Sequence, residues 1–344
     1  ENPCRRYELM EDPMGSMKNM APASAPAKQE RGKALGVTVE AQYTVGEYDI
    51  LILSAKESHG LETRLSENGY RIQSDTSMVT QNYFKQRMKF VVAMVNLAEQ
   101  SKLGFTHLRP LQIAFESTRF ILPIWLGTVN AEGAQELLIY VLTKQGCVET
   151  TTYRTVRLPE AQELPLYVKD RFGEFYRDLF TQQVKRESER GVFLEYAWDM
   201  NWCDPCAANP LSTEELRSLG VFWQDNQNGM QRGKAYSPQG LNVFLTRLHV
   251  RYDAAHFPED LMFQKTSDRN NFQARYVLRH PWTGTEDCPA ATAYRQQLRD
   301  WSEREAQTLA SLTGWNIGEI RKAMNLASFP AGEDKKWYQR LWTN

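Results

Sequence analysis

The stretch that most restricts the fold runs from Val192 to Cys206, VFLEYAWDMNWCDPC. Val192, Leu194, Tyr196 and Trp198 alternate with Phe193, Glu195 and Ala197, so both faces are largely apolar and the run reads as a mostly buried strand. A strand buried on both sides needs covering elements on both sides, which demands layers rather than a single exposed sheet. Asp199 to Asn201 breaks the strand. Cys203-Asp204-Pro205-Cys206 then reads as a turn, because Pro fixes one φ and Asp bonds its own backbone. Two cysteines at this spacing serve as a short disulfide, a redox pair or half of a zinc site, and spacing alone does not choose.

Trp202-Cys203-x-Pro205-Cys206 shares its wording with the thioredoxin motif, so the redox reading needs a helix whose N-terminus begins at the first thiol. Pro210 opposes such a helix, and the next helical signal begins only where Ser212 caps Thr213-Glu214-Glu215. A structural disulfide therefore leads, with a thiol-disulfide oxidoreductase using Cys203 and Cys206 as one alternative and metal binding as another.

Around this strand the chain reads as α+β, with antiparallel sheets, packed helices and a helical C-terminus. Residues 1–36 form a flexible Met/Pro/Ala-rich linker or processed tail, followed by a first α+β half at 37–190 and a second at 191–344. Strands are expected over Val37–Leu53, Met88–Leu97, Leu108–Glu116, Phe120–Leu126, Glu136–Thr143, Val148–Leu158, Val243–Tyr252 and Phe272–Arg279. Turn residues between them suggest an antiparallel meander. Short helices are expected at Gly60–Leu65 and Ser77–Gln86. Pro165–Glu189 carries the strongest helical period, with Phe172, Phe175, Tyr176, Leu179, Phe180 and Val184 on one stripe. Helices are also expected over Ala290–Ser311 and Ile317–Ala327. A similar order of strands in Phe90–Gly127 and Val243–Gly284 raises the expectation of a pseudo-duplicated sheet.

Composition removes several function classes. With 41 Lys+Arg against 42 Asp+Glu, the chain has no electrostatic footprint for nucleic acid. No apolar segment approaches the roughly 20 residues of a spanning helix. No phosphate loop, nucleophile elbow or HExxH helix occurs, so no catalytic residue and no cofactor is assigned. His249 and His256, with Arg251, Asp253, Glu259 and Asp260, are the one histidine group close enough in sequence to assemble a site. Glu195, Asp199, Asp204 and Asp253 lack the order of a calcium loop. Met14, Met17 and Met20 have a spacing suited to Cu(I), as a weak metal candidate. Five cysteines leave one without a partner in an oxidising compartment, and Cys4 is the natural candidate. A chain beginning at Glu1 without an initiator Met or secretory signal is expected to lack its native N-terminal part.

The stretches Tyr48–Ile72, Met88–Leu97, Arg109–Ser117, Val192–Ala207, Thr246–Gln264 and Asn271–Gly284 together resemble the bacterial DUF2330 family, a domain of unknown function. The resemblance runs from about Tyr48 to Trp315 and leaves the Met-rich tail outside. It implies a secretion signal and an upstream segment, hence a periplasmic, outer-membrane-associated or extracellular protein. In that oxidising setting Cys203 and Cys206 are expected to be bridged, with Cys147 and Cys288 as a less certain second pair. The expected function is a non-enzymatic binding or accessory subunit of the cell envelope. Its partner would be another envelope protein or the upstream part of its own precursor.

Overall fold

The computed structural model describes residues 37–55, 58–67, 76–104, 106–129, 131–202, 209–223 and 242–326. The protein is α+β, as the pattern of elements requires. β1 (Val37–Val45) and β2 (Tyr48–Ala55) form a hairpin on Gly46, whose φ of 58° suits a two-residue turn. α1 (Ser58–Glu67) and α2 (Thr76–Lys85) lead to β3 (Phe90–Val95), which pairs antiparallel with β2. Leu53, Leu61 and Val37 make the small core of this unit.

After α3 (Leu97–Lys102) come β4 (Ile121–Leu122), α4 (Trp125–Thr128) and β5 (Gln135–Thr143). Then come β6 (Val148–Thr150), β7 (Arg154–Arg157), β8 (Gln162–Leu164), a 3₁₀ turn over Leu166–Arg171 and α5 (Phe172–Arg186). The buried strand of the sequence reading is β9 (Gly191–Asp199), followed by α6 (Thr213–Ser218), whose Ser212 and Glu215 close a capping box. β10 (Phe244–Tyr252), β11 (Leu261–Lys265), β12 (Phe272–Gln273) and β13 (Tyr276–Leu278) precede α7 (Pro289–Thr313) and α8 (Ile317–Ala323).

The central sheet has the order β12-β9-β10-β5, with β7 also on β9. Smaller sheets are β4-β11-β6 and the pair β13-β8. One face of the central sheet packs Ile139, Val141, Leu194, Leu248 and Val250 against Val148, Leu261 and Phe263. α5 lies on the opposite face with Phe180 and Val184 against Phe193. Its other stripe, Phe175 and Leu179, packs on Leu309, Leu312 and Ile320 of α7 and α8. Each such apolar side chain contributes about 1.5–3 kcal/mol on burial, so α5 is held from two directions. Phe172, expected on the same stripe, stays half exposed.

The sheets depart from a simple meander. β7 pairs parallel with β9 and β13 parallel with β8, long-range pairings that no local turn announces. Leu108–Glu116, expected as a strand, has no regular secondary structure and joins no ladder among the described residues. The two stretches thought to be duplicated differ in place: β3 pairs β2, whereas β10 lies between β9 and β5.

Candidate partner-binding face

The chemistry expected near Val192–Cys206 is set by a β-bulge. In the β9–β10 ladder Arg247 faces Tyr196 and Leu248 faces Leu194, so Glu195 has no partner across the strand. The alternation therefore changes phase within β9. Val192, Leu194 and Ala197 enter one core while Phe193 and Trp198 enter others.

The bulge turns Glu195 under α5, where it is 3 % exposed. Its carboxylate accepts from Tyr176 Oη, from His249 Nδ1 at 2.8 Å and from Arg247 Nε at 2.7 Å. A carboxylate only accepts, so His249 carries its proton on Nδ1. Phe180 stacks flat on the His249 ring, with 3.6 Å between centroids. Burial pushes the Glu195 carboxyl up, but the bonds from His249 and Tyr176 and the Arg247 charge outweigh it and hold it below the ordinary value. Burial and the same carboxylate push the Tyr176 phenol up. The one groove described below is not lined by these residues, and each polar atom of the carboxylate is engaged, so the cluster fastens α5 to the sheet.

The histidine group divides in two. His249 joins Glu195, while His256 Nδ1 donates to both Asp253 oxygens at 2.9 Å. Glu189, Asp253 and His256 bring three ligand-type atoms within 4.8 Å of one another. Asp253 also accepts from the backbone N–H of Ala255 and His256, so the carboxylate is held by several donors within this turn. Asp260 instead accepts from Tyr83 Oη at 2.7 Å and Trp125 N at 3.0 Å, tying α2 to the main body. Asp199 accepts from Arg269 Nε at 2.7 Å.

Cys203, Cys206, Cys4, Met14, Met17, Met20 and Asp204 lie outside the described residues. Cys147 is free and 4 % exposed, packed in the core beside Val148, and burial pushes its thiol up. The expected Cys147–Cys288 pair is therefore not formed. Cys288 sits at the start of α7, where its sulfur accepts from Ala291 N at 3.3 Å. Trp202 is 71 % exposed, and its carbonyl accepts from the indole of Trp198 at 2.8 Å.

What the structure leaves open is the outer edge of β5. This nine-residue strand pairs with β10 on one side and with no strand on the other among the described residues. Leu137 to Thr143 contains no charge and no proline, and its register with β10 has no bulge. Leu138 and Tyr140 are 48 % and 58 % exposed. A groove of about 300 Å³ runs beside them, lined by Phe120, Leu122, Tyr140, Leu142, Leu219 and Trp223. Just before it, residues 106–120 are exposed throughout, with Leu111, Ile113 and Phe115 turned to solvent. Glu47 and Arg109 anchor the start of this apolar segment with a contact of 2.7 Å. Gln112 anchors its middle on the Ser218 carbonyl at 2.9 Å. The Arg109 bonds hold the Glu47 carboxyl at about 2. Sequence reasoning missed this face, although the uncharged run of seven residues from Leu137 to Thr143 was its available signal.

The described residues form an α+β body with a buried ionic clasp at Glu195 and an apolar β5 edge that pairs with no described strand. The chain belongs to the DUF2330 family, described as an uncharacterized protein conserved in bacteria, whose profile matches residues 3–264. That match covers Met14, Met17 and Met20, which the sequence reading placed outside, and stops short of Trp315. No curated protein and no solved structure matches the chain. No helix among the described residues is long and apolar enough to cross a membrane.

Proposed function

We propose that the protein is an exported, non-enzymatic component of the bacterial cell envelope whose β5 edge receives an extended segment of a partner protein. The observation that carries this reading is the edge of β5, which no strand among the described residues pairs. Edge strands in monomers are usually shortened, bulged or charged, because their free N–H and C=O groups invite another strand. β5 has none of these devices over Leu137–Thr143, and the adjoining groove offers sites for alternate side chains of an added strand.

Export is supported by the sulfur chemistry. Among the described cysteines Cys147 is free and Cys288 is not. Stable disulfides belong to oxidising compartments.

The test is the native size of the protein in envelope extracts, with Leu138→Lys and Tyr140→Lys as edge variants. The reading expects a complex larger than the monomer that both variants dissolve without loss of far-UV circular dichroism. A native monomer, or a complex indifferent to both substitutions, would overturn it.

A further inference from the structure

We infer that the partner on the β5 edge is a second copy of this chain, paired antiparallel, β5 to β5, about a two-fold axis at Tyr140. The inference rests on the binding reading above and names its occupant. Three observations lead to it.

The first is the pattern along one face. Successive residues of a strand point to opposite faces, so Glu136, Leu138, Tyr140, Leu142 and Lys144 form one row. Glu136 is half exposed and Lys144, the first residue after β5, is exposed. The row is acidic at one end, basic at the other and apolar between, which makes it complementary to its own reverse.

The second is the register. An axis at Tyr140 sets Glu136 opposite the partner's Lys144, Leu138 opposite the partner's Leu142, and the two Tyr140 rings opposite each other. Both ends then carry opposite charges across the strands, an arrangement that stabilises antiparallel pairs. An axis at Ile139 would put Glu136 opposite the partner's Leu142. One at Val141 would put Leu138 opposite the partner's Lys144. Neither leaves the charges matched, so the side chains select one register. A two-fold pairing also closes on itself and leaves no further free β5 edge, which limits the assembly to a dimer.

The third is continuity of the core. Ile139 and Val141 point into the core on the opposite face. In the same register Ile139 falls opposite the partner's Val141, so that layer extends across the axis. The charges that meet across the seam also have contacts within each copy, Lys144 lying over the Trp223 ring at 5.6 Å. Arg251 bonds Glu136 from β10, His249 Nε2 lies 3.7 Å from the other Glu136 oxygen, and Arg247 lies over the Tyr140 ring at 6.0 Å.

The test is sedimentation velocity of the purified full chain over a wide concentration range. The expected result is a species of twice the monomer mass that reverts to monomer in Tyr140→Lys. Glu136→Lys and Lys144→Glu should each be monomeric alone, because each sets like charges across the axis. Mixing the two variants should restore the doubled mass, since each then meets its opposite. Should Tyr140→Lys fail to fold, oxidation of Tyr140→Cys provides the second readout, with an interchain disulfide as the supporting result. A monomer at every concentration, or a dimer insensitive to Tyr140→Lys, overturns the inference. In either event the binding reading is judged separately. It survives if the native envelope complex is still dissolved by Leu138→Lys, and it falls with the inference if that complex is unaffected.

Discussion

Replacing Glu195 tests how the central sheet is fastened to α5. The carboxylate is buried in a bulge and accepts from three side chains, Tyr176, His249 and Arg247. In Glu195→Ala the donors on Tyr176 and His249 lose their acceptor inside the protein. The Arg247 side chain, 34 % exposed, recovers part of its solvation. Breaking a buried pair from one side costs about 3–5 kcal/mol, and the partial exposure of Arg247 places this case near the lower end, about 3 kcal/mol. Glu195→Gln keeps the shape and one acceptor and should lose less. Urea denaturation followed by tryptophan fluorescence gives both values, with unchanged slopes if the unfolded state is unaffected.

The pH dependence supplies a sign. The folded carboxyl is held below its unfolded value, so its contribution is present above about pH 4.3 and is lost as pH falls through the folded value. The stability gap between the wild type and Glu195→Gln should therefore narrow in acid. A loss under about 1 kcal/mol for Glu195→Ala, or a gap independent of pH, would refute the clasp.

Glu305 on α7 presents the opposite sign. Burial, then the nearby Glu163 charge, push its carboxyl up to about 7. Its protonated form favours the fold below the unfolded value of about 4.3, and that stability is lost as pH rises through the folded value. Discounted for its partial exposure, Glu305→Gln should stabilise the protein by about 1–2 kcal/mol at pH 8 and leave it unchanged at pH 4, as read by thermal melts at the two pH values. Thiol titration tests the sulfur assignment. Unreduced protein should yield one reactive thiol per chain in denaturant, Cys147, and none when native. Five thiols in denaturant would remove the case for an oxidising compartment.

Much of the secondary structure was legible because it is local. The period of Phe175, Leu179 and Phe180 marks α5, Ser212 and Glu215 mark the start of α6, and the apolar run of β9 marks a strand covered on both faces. The pairing of strands was not legible in the same way. Residues 108–116 have the composition of a strand, but composition does not supply a neighbour, and the segment stays unpaired among the described residues. The bulge at Glu195 reverses the facing of Tyr196 and Trp198 relative to strict alternation, and no residue of β9 announces it. Glu195 and His249 lie 54 residues apart and meet only because β9 and β10 are neighbours. Of the candidate site residues, Cys147 was placed in a pair because the resemblance implied an oxidising compartment, whereas its apolar surroundings keep it as a core thiol.

The claim that β5 offers an open edge is tested most directly by residue-resolved amide hydrogen exchange over Gln135–Thr143, in the isolated dilute chain and in the native envelope complex. Alternate amides of β5, those pointing away from β10, should exchange quickly in the dilute chain and become protected in the complex, while those bonded to β10 are slow in both. Uniform protection of β5 in the dilute chain, or alternate amides that stay fast in the complex, would contradict the account.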